Sequence, residues 1–405
     1  MSSSTKVLPT TRGLSRTSSI FDREKSVKAE KLSQDALIKL VPILLEDASA
    51  GNCQSVRDIL ALDQKNEKYA IVLGTDKEGR NALHRAALAG NTDIVQILLE
   101  YESNHPSNNS SENDGSVRFC DRTDKYGNTP FFLMTLFLNN CDVDMADLFV
   151  KEGASIDFQK KSDGMTVIHW TCHHGNDQLL RTLLEYHQQQ GGNGIATNFK
   201  VKLPMVKDKD GRYPIDVCGV EYDKKWKSED GSQQHLSYKR KNIVSTLDDF
   251  VNCIRLLSED TLISAYQPTK DYWNRVLFWS SAIGNTSGVK AALDQQANPR
   301  WKHPLMEMKT AIHVAAEVGR SFEVVELLLN SYLADKLPTT LSRMLDDNLN
   351  NPLHCYVLGV TNKYHSGPNL NGYQQKILSA FLNIGDAADR EKLEGNRNHY
   401  GYRPV

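Results

Sequence analysis

Apolar residues recur along this chain in pairs of short segments with helical spacing. In the clearest pair, residues 81–90 are rich in alanine and leucine and end at a glycine, and an apolar run follows at residues 94–99. Residues 310–319 and 324–329 repeat the same pattern. Small residues let one helix approach its neighbour closely, and a glycine ends a helix, so each first segment predicts a short helix. The spacing of the run after it predicts a second, antiparallel helix.

A turn signal precedes each of these pairs. Residues 76–79 read Asp-Lys-Glu-Gly, a composition typical of a tight turn or a hairpin tip. The same kind of signal opens the segments at 124–130 and 208–215. The sequence therefore predicts a repeating unit of turn, first helix and second helix.

This unit resembles the ankyrin repeat, whose signature is a Thr-Pro-Leu-His-x-Ala core in about 33 residues. The resemblance is strong in two units and loose in the others. It implies an all-α, right-handed solenoid of about seven or eight units with short β-hairpin tips. The units fall near residues 34–62, 76–101, 124–153, 162–186, 208–258, 271–297, 307–332 and 346–384.

The segments around the predicted array differ in composition. Residues 1–33 are rich in serine, threonine and basic residues, which predicts a disordered tail. Insertions are predicted at 101–120, 187–200, 221–242 and 363–373, and the third mixes charge with tyrosine and tryptophan, as a partner-contact loop would. Residues 398–405 read as the opening of another repeat, so we expect the chain to be the N-terminal part of a longer protein or a truncated gene product.

Composition narrows the function classes. Lys and Arg number 48 against 50 Asp and Glu, so phosphate-backbone binding is not expected as the main activity and no nucleic-acid partner is predicted. Seven scattered cysteines without a Cys-x-x-Cys pair argue against a zinc ribbon and a disulfide framework. The chain has no secretory signal and no apolar stretch of spanning length, which predicts a cytoplasmic protein without membrane insertion in this segment.

Four histidines stand at one register of the repeat: His84, His169, His313 and His354. In ankyrin repeats the matching histidine is structural, and the resemblance implies that role for these four. A catalytic role would need a nucleophile and an orienting acid beside one of them, and nothing distinguishes one from another. His169, Cys172, His173 and His174 form a cluster, but the remaining ligand spacing of a zinc site is absent. No catalytic, cofactor or metal residue is predicted, and the protein is not expected to be an enzyme.

The residue after each structural histidine is expected to point into the concave groove of the array. With their neighbours, these residues form the predicted partner groove: Arg85, Leu133, Trp170, His173, His174, Trp279, Ile283 and Val314. The hairpin tips are expected to add a polar rim: Lys77, Glu78, Lys125, Tyr126, Lys209 and Asp210. Exposed apolar stripes mark interaction surfaces. Burial of the same residues against the insertions is an equally open alternative.

These features predict a non-catalytic protein-interaction module, a scaffold or adaptor that binds a segment of a protein partner in its groove. Two alternatives stay open because fold does not fix function. One is the cytosolic N-terminal array of a larger membrane channel or transporter. The other is the substrate-recruiting arm of a modular enzyme whose catalytic motifs follow Val405.

Overall fold

The chain is helical throughout the part that the structure describes. The computed structural model describes residues 39–64, 71–104, 118–137, 143–190, 202–228, 246–334, 341–363, 372–383 and 387–404. These residues form α-helices and short 3-10 helices and contain no β-strand, so β-hairpin tips remain a prediction. The chain divides into two compact units, one made of residues 1–138 and 144–154 and the other of residues 139–143 and 155–405.

The first unit is built from helix pairs. Its helices are α1 (Val41–Ala50), α2 (Cys53–Gln64), α3 (Ala82–Ala89), α4 (Thr92–Asn104), α5 (Pro130–Phe137) and α6 (Val143–Lys151). The first helices α1, α3 and α5 pack one on the next, and α2 packs on α4. A 3-10 turn at Phe119–Asp121 precedes α5.

The second unit repeats this arrangement. Its helices are α7 (Val167–His174), α8 (Asp177–Gln190), α9 (Pro214–Ser228), α10 (Leu247–Leu256), α11 (Asp260–Ile263), α12 (Lys270–Ile283), α13 (Thr286–Asp294), α14 (Ala311–Val318), α15 (Phe322–Ala334), α16 (Pro352–Lys363), α17 (Gly372–Leu382) and α18 (Ala387–Gly395). The first helices α7, α9, α12, α14 and α16 pack in that order. In the second layer α8 packs on α10, and α13, α15 and α17 pack in succession.

The first helices are short because both of their ends are fixed by the sequence. Helix α3 begins after Asn81, whose side chain accepts a hydrogen bond from the His84 N–H. It ends at Gly90, which adopts the left-handed conformation with a φ of 77°. Helix α14 begins after Thr310, whose backbone N–H donates to the His313 Nδ1 at 3.2 Å, and ends at Gly319, which has a φ of 61°.

A glycine also allows the closest approach between two first helices. A Cβ atom on Gly219 of α9 would lie 2.2 Å from the Trp279 ring of α12. Because no side chain tolerates that distance, Gly219 is the position that lets the indole lie against the α9 backbone.

Three predicted insertions are wrong at their starts, because residues 101–104 continue α4 and residues 187–190 continue α8. Residues 221–228 continue α9 instead of forming a loop, and Tyr222 and Trp226 are buried. Their aromatic rings belong to the core of the second unit, so they are not partner contacts. The predicted tail at 1–33 and most of the insertions lie outside the described residues, and the repeat boundaries stay a prediction.

Candidate interaction surface

The four repeat histidines join neighbouring turns through both ring nitrogens. In His169, Nδ1 accepts a hydrogen bond from the Thr166 backbone N–H at 3.2 Å, so Nε2 carries the proton and donates to the Arg212 carbonyl at 3.2 Å. His84 donates in the same way to Asn128, and His354 to Tyr402. Each ring thus ties the start of one first helix to the turn of the next repeat.

Burial keeps these histidines neutral. Desolvation lowers the pKa of His84, His169 and His313 to about 4, against a smaller opposing effect of the hydrogen-bonded carbonyls and nearby carboxylates. The pKa of His354 is lowered for the same reason. A neutral ring is the form that accepts at Nδ1 while donating at Nε2, so the folded state and this protonation state support each other.

The predicted groove residues separate into two groups. Arg85, Trp170, His173 and His174 have partly exposed side chains, and their partner role stays a prediction. The other four lie in the interior with at most 4% of their surface exposed: Leu133, Trp279, Ile283 and Val314. The prediction that these four side chains are accessible in the groove is therefore wrong.

The buried Trp279 side chain bonds a buried carboxylate, that of Asp216, inside the second unit. Its indole N–H donates to the Asp216 carboxylate at 3.0 Å, and the His303 Nε2 donates to the same oxygen at 3.0 Å. The Arg275 guanidinium bonds the other oxygen at 2.5 Å. Burial alone would raise the pKa of Asp216, but these donors hold it below its usual range. The sequence hid this network, because Asp216 stands at the register where the other repeats carry histidine.

Trp170 lies in a small aromatic cluster on α7. Its ring centroid is 5.1 Å from that of His173 and 5.9 Å from that of His174. The His173 Nδ1 lies 3.4 Å from the Glu221 carboxylate of α9. Burial raises the pKa of Glu221, but His173 and Lys224 outweigh that effect and bring it to about 2. The carboxylate therefore stays charged beside the aromatic rings.

Five turns between helix pairs share one hydrogen-bonding pattern. In the turn at 76–80, one Asp76 carboxylate oxygen accepts the backbone N–H groups of Glu78 at 3.0 Å and Arg80 at 2.9 Å. The first residue of four further turns accepts the same two bonds: Asp124, Asp208, Asp346 and Asn398. The side chain at the first position thus closes each turn, and the residues at the tip of the turn face outward.

Neighbouring turns within each unit are joined by backbone hydrogen bonds. The Lys125 N–H donates to the Glu78 carbonyl at 2.8 Å in the first unit. In the second unit Lys209 donates to Asp163, Asp347 to Glu307 and His399 to Asn348. Consecutive turn tips therefore form connected strips of backbone whose side chains are presented side by side.

The predicted tip residues are mostly outside the core. Lys77, Lys125, Tyr126, Lys209 and Asp210 are exposed, and Glu78 is half-buried. Tyr126 exposes 61% of its surface, and the Arg80 guanidinium lies 5.9 Å from its ring centroid. This placement suits partner contact but does not test it.

The structure adds tip residues that sequence reasoning missed. Leu305, Leu349, Tyr400 and Tyr402 expose between 42% and 70% of their surfaces. With Tyr126, they account for all but one of the large exposed apolar side chains in the described ranges, the exception being Leu358. The sequence carries one signal for them, because residues 398–402 read Asn-His-Tyr-Gly-Tyr and match the turn Asp-Lys-Tyr-Gly-Asn at 124–128.

The described residues contain no group of three histidine, cysteine or acidic side chains placed to hold a metal ion. Within the same ranges, every helix is too short or too polar to pass through a lipid bilayer.

Successive pairs of short helices, tied by histidines and turn carboxylates, define a helical repeat protein. The family model for the ankyrin repeat matches residues 78–110, which include the turn at Gly79 and helices α3 and α4. The chain therefore contains an ankyrin repeat, and the resemblance predicted from its sequence is confirmed for that segment. The comparison with curated proteins found no match to the chain.

Proposed function

We propose that this protein is an interaction module that binds protein partners through the tips of its turns. The observation that carries the proposal is the presence of exposed apolar side chains at those tips: Tyr126 in the first unit, and Leu305, Leu349, Tyr400 and Tyr402 in the second. Exposed aromatic and aliphatic groups grouped on one feature are typical of interaction surfaces, and tyrosine is enriched in binding hot spots. The ankyrin repeat at 78–110 supports the same class of function.

The tips suit this role better than the groove that the sequence predicted. Four groove residues are interior, whereas the turn carboxylates and backbone bonds hold the tips without using their outward side chains. A rigid tip loses little conformational freedom on binding, which favours affinity. The half-exposed residues Arg85, Trp170, His173 and His174 would extend the contact onto the first helices.

The compartment follows from cysteine chemistry as part of this proposal. All six described cysteines are unpaired, and five of them are buried. Free thiols are typical of the reducing interior of a cell, so we place the module there. Its role as a scaffold or adaptor is part of the same proposal.

Photo-crosslinking tests the function. A photoreactive amino acid replaces Tyr126 in one variant and Tyr400 in another, and Leu358, which is exposed to 40% but lies in α16 and not at a tip, provides the matched control position. We expect protein adducts from the two tip positions and few from the control. Adducts of equal yield at all three positions, or none at the tips, would count against binding through the tips.

A further inference from the structure

Three neighbouring turns of the second unit present a continuous strip of tips. The turns at 303–309, 346–350 and 398–402 are joined by the bonds from Asp347 to Glu307, at 2.9 Å, and from His399 to Asn348, at 2.8 Å. Each turn carries at least one exposed apolar side chain. We call the set formed by Leu305, Leu349, Tyr400 and Tyr402 the Leu349 surface.

Leu349 stands where the other turns have glycine. The fourth position of the shared turn has a positive φ, and glycine occupies it at residues 79, 127, 211 and 401 with φ between 75° and 79°. Leu349 adopts a φ of 60° at this position. A leucine is strained there because its Cβ crowds the backbone, so the fold alone favours glycine.

The adjacent turn is strained as well. Glu307 and Met308 have φ values of 51° and 53°. Of the five non-glycine residues with positive φ in the described ranges, three therefore lie in two turns that bond to each other. Strained conformations collect at functional sites, where a side chain is needed despite its cost. An exposed leucine at such a position contributes contact surface that stability does not require.

Basic side chains border this apolar surface. Lys302 donates to the Leu345 carbonyl at 2.7 Å and Arg397 to the Gly401 carbonyl at 2.8 Å, so both cations are held at the level of the tips. Arg403 is exposed next to Tyr402. Within the described part of the chain, none of these three has an ion-pair partner. Lysine and arginine retain further N–H donors after one such bond.

The acidic groups of the strip are largely neutralised or turned inward. Asp346 is buried and binds the N–H groups of its own turn. Glu307 is exposed, lies 3.3 Å from the Lys309 ammonium, which Glu317 also contacts at 2.8 Å, and accepts from the Asn348 side chain at 3.3 Å. Asp347 is the remaining exposed carboxylate of the turns. Three exposed cations, Lys302, Arg397 and Arg403, therefore stand against two exposed carboxylates, Glu307 and Asp347, and the balance of charge around the Leu349 surface is positive.

We infer that the Leu349 surface binds an acidic protein segment that carries apolar or aromatic side chains. This inference rests on the proposed function and names the chemistry of its partner. Apolar groups of the segment cover Leu305, Leu349 and the two tyrosines, while its carboxylates pair with Lys302, Arg397 and Arg403. An anionic membrane is the less suitable occupant, because stable electrostatic attachment uses clusters of about four to eight basic residues without intervening acids.

The test measures binding of synthetic peptides to the full chain by fluorescence anisotropy. Three labelled peptides of equal length are used: one of Glu, Leu and Phe, one of Lys, Leu and Phe, and one of Glu and Ser. We expect the first to bind at least about tenfold more tightly than the others, and its affinity to fall as salt is raised. Equal binding of all three, or preference for the lysine peptide, would overturn the assignment.

Leu349→Gly separates binding from folding. The substitution removes the apolar contact and relieves the positive-φ strain, so we expect about tenfold weaker peptide binding with an unchanged or higher melting temperature. The matched control is Leu358→Ser, which removes an exposed leucine away from the tips and should leave affinity unchanged. Wild-type affinity in Leu349→Gly would show that this surface is not the site.

Two further comparisons distinguish a peptide from a membrane as the partner and the peptide chemistry from the tip function. Vesicles of phosphatidylserine and phosphatidylcholine are tested in parallel, and vesicle binding that Leu349→Gly abolishes would replace the peptide by a membrane. If the peptides fail to bind while crosslinks still form at Tyr400, the acidic chemistry is wrong and the tip function stands. If the crosslinks also fail, the proposed function is wrong.

Discussion

At the scale of single residues, the position of a residue within the repeat determined whether its role could be predicted from the sequence. The four histidines were recognised because the same residue recurs at one position of the repeat. Phe132 and Asp216 occupy that position in two other repeats, where their helix-start contacts match those of the histidines. A single sequence gives no partner for a buried aspartate, so the bonds from Arg275 and His303 could not be foreseen.

Removing the Trp279 side chain tests its buried position. Trp279→Ala leaves a large cavity and one donor fewer on Asp216, so we expect a loss of about 3–5 kcal/mol in the free energy of unfolding. Urea denaturation measures it. Trp170→Ala, on the partly exposed face of α7, should cost clearly less. Equal losses for the two variants would mean that Trp279 is not buried as described.

The Asp216 carboxylate, which accepts the Trp279 N–H, provides a second test. Asp216→Ala leaves the Arg275 charge buried without its main partner, and breaking such a pair typically costs about 3–5 kcal/mol. The control is Asp210→Ala, because that side chain is 70% exposed and its pairing with Arg212 is solvated. We expect the control to change the unfolding free energy by about 0.5 kcal/mol or less. Comparable destabilisation by both variants would contradict a buried network.

At the scale of the repeat element, the sequence predicted the clear helices well. Residues 81–90 and 310–319 became α3 and α14 because a capping side chain and a glycine fixed their ends. The mixed composition of residues 221–228 suggested a loop, yet helix propensity and burial of Tyr222 and Trp226 extended α9. The exposure of groove residues was not predictable, because it depends on how closely neighbouring first helices approach.

The approach of α9 and α12 provides a prediction at this scale. Gly219→Ala would place a methyl group within 2.2 Å of the Trp279 ring and force the two helices or the indole to shift. We expect a loss of about 1–3 kcal/mol, as for other overpacked cores, although alanine favours helix more than glycine does. Thermal unfolding of the variant measures the loss. Gly395→Ala, with open space around its Cβ, is the control and should be neutral.

At the scale of the whole molecule, the buried histidines make stability depend on pH. His84, His169 and His313 have a pKa of about 4 in the folded chain and about 6.5 when unfolded. Between these values the unfolded state binds more protons, so stability is complete above about pH 6.5 and falls as the pH drops toward 4. Each histidine contributes up to about 1.4 kcal/mol per pH unit in this window.

Urea titrations at several pH values between 4 and 7 check this dependence. His313→Gln should lower the slope of unfolding free energy against pH by about 1.4 kcal/mol per unit for the transition that includes the second unit. A slope that does not respond to His313→Gln would show that this histidine is not kept neutral by the fold.

The shared turn also affects how such a protein can diversify. Its geometry depends on one acceptor side chain, as in Asp76 or Asn398, and on a residue with positive φ at the fourth position. The second and third positions, occupied by pairs as different as Lys77 with Glu78 and His399 with Tyr400, do not supply that side-chain acceptor. Mutations there can change the chemistry of the tip at little expense to the fold, so binding preference is free to drift between paralogues, or under laboratory selection, while the scaffold is preserved.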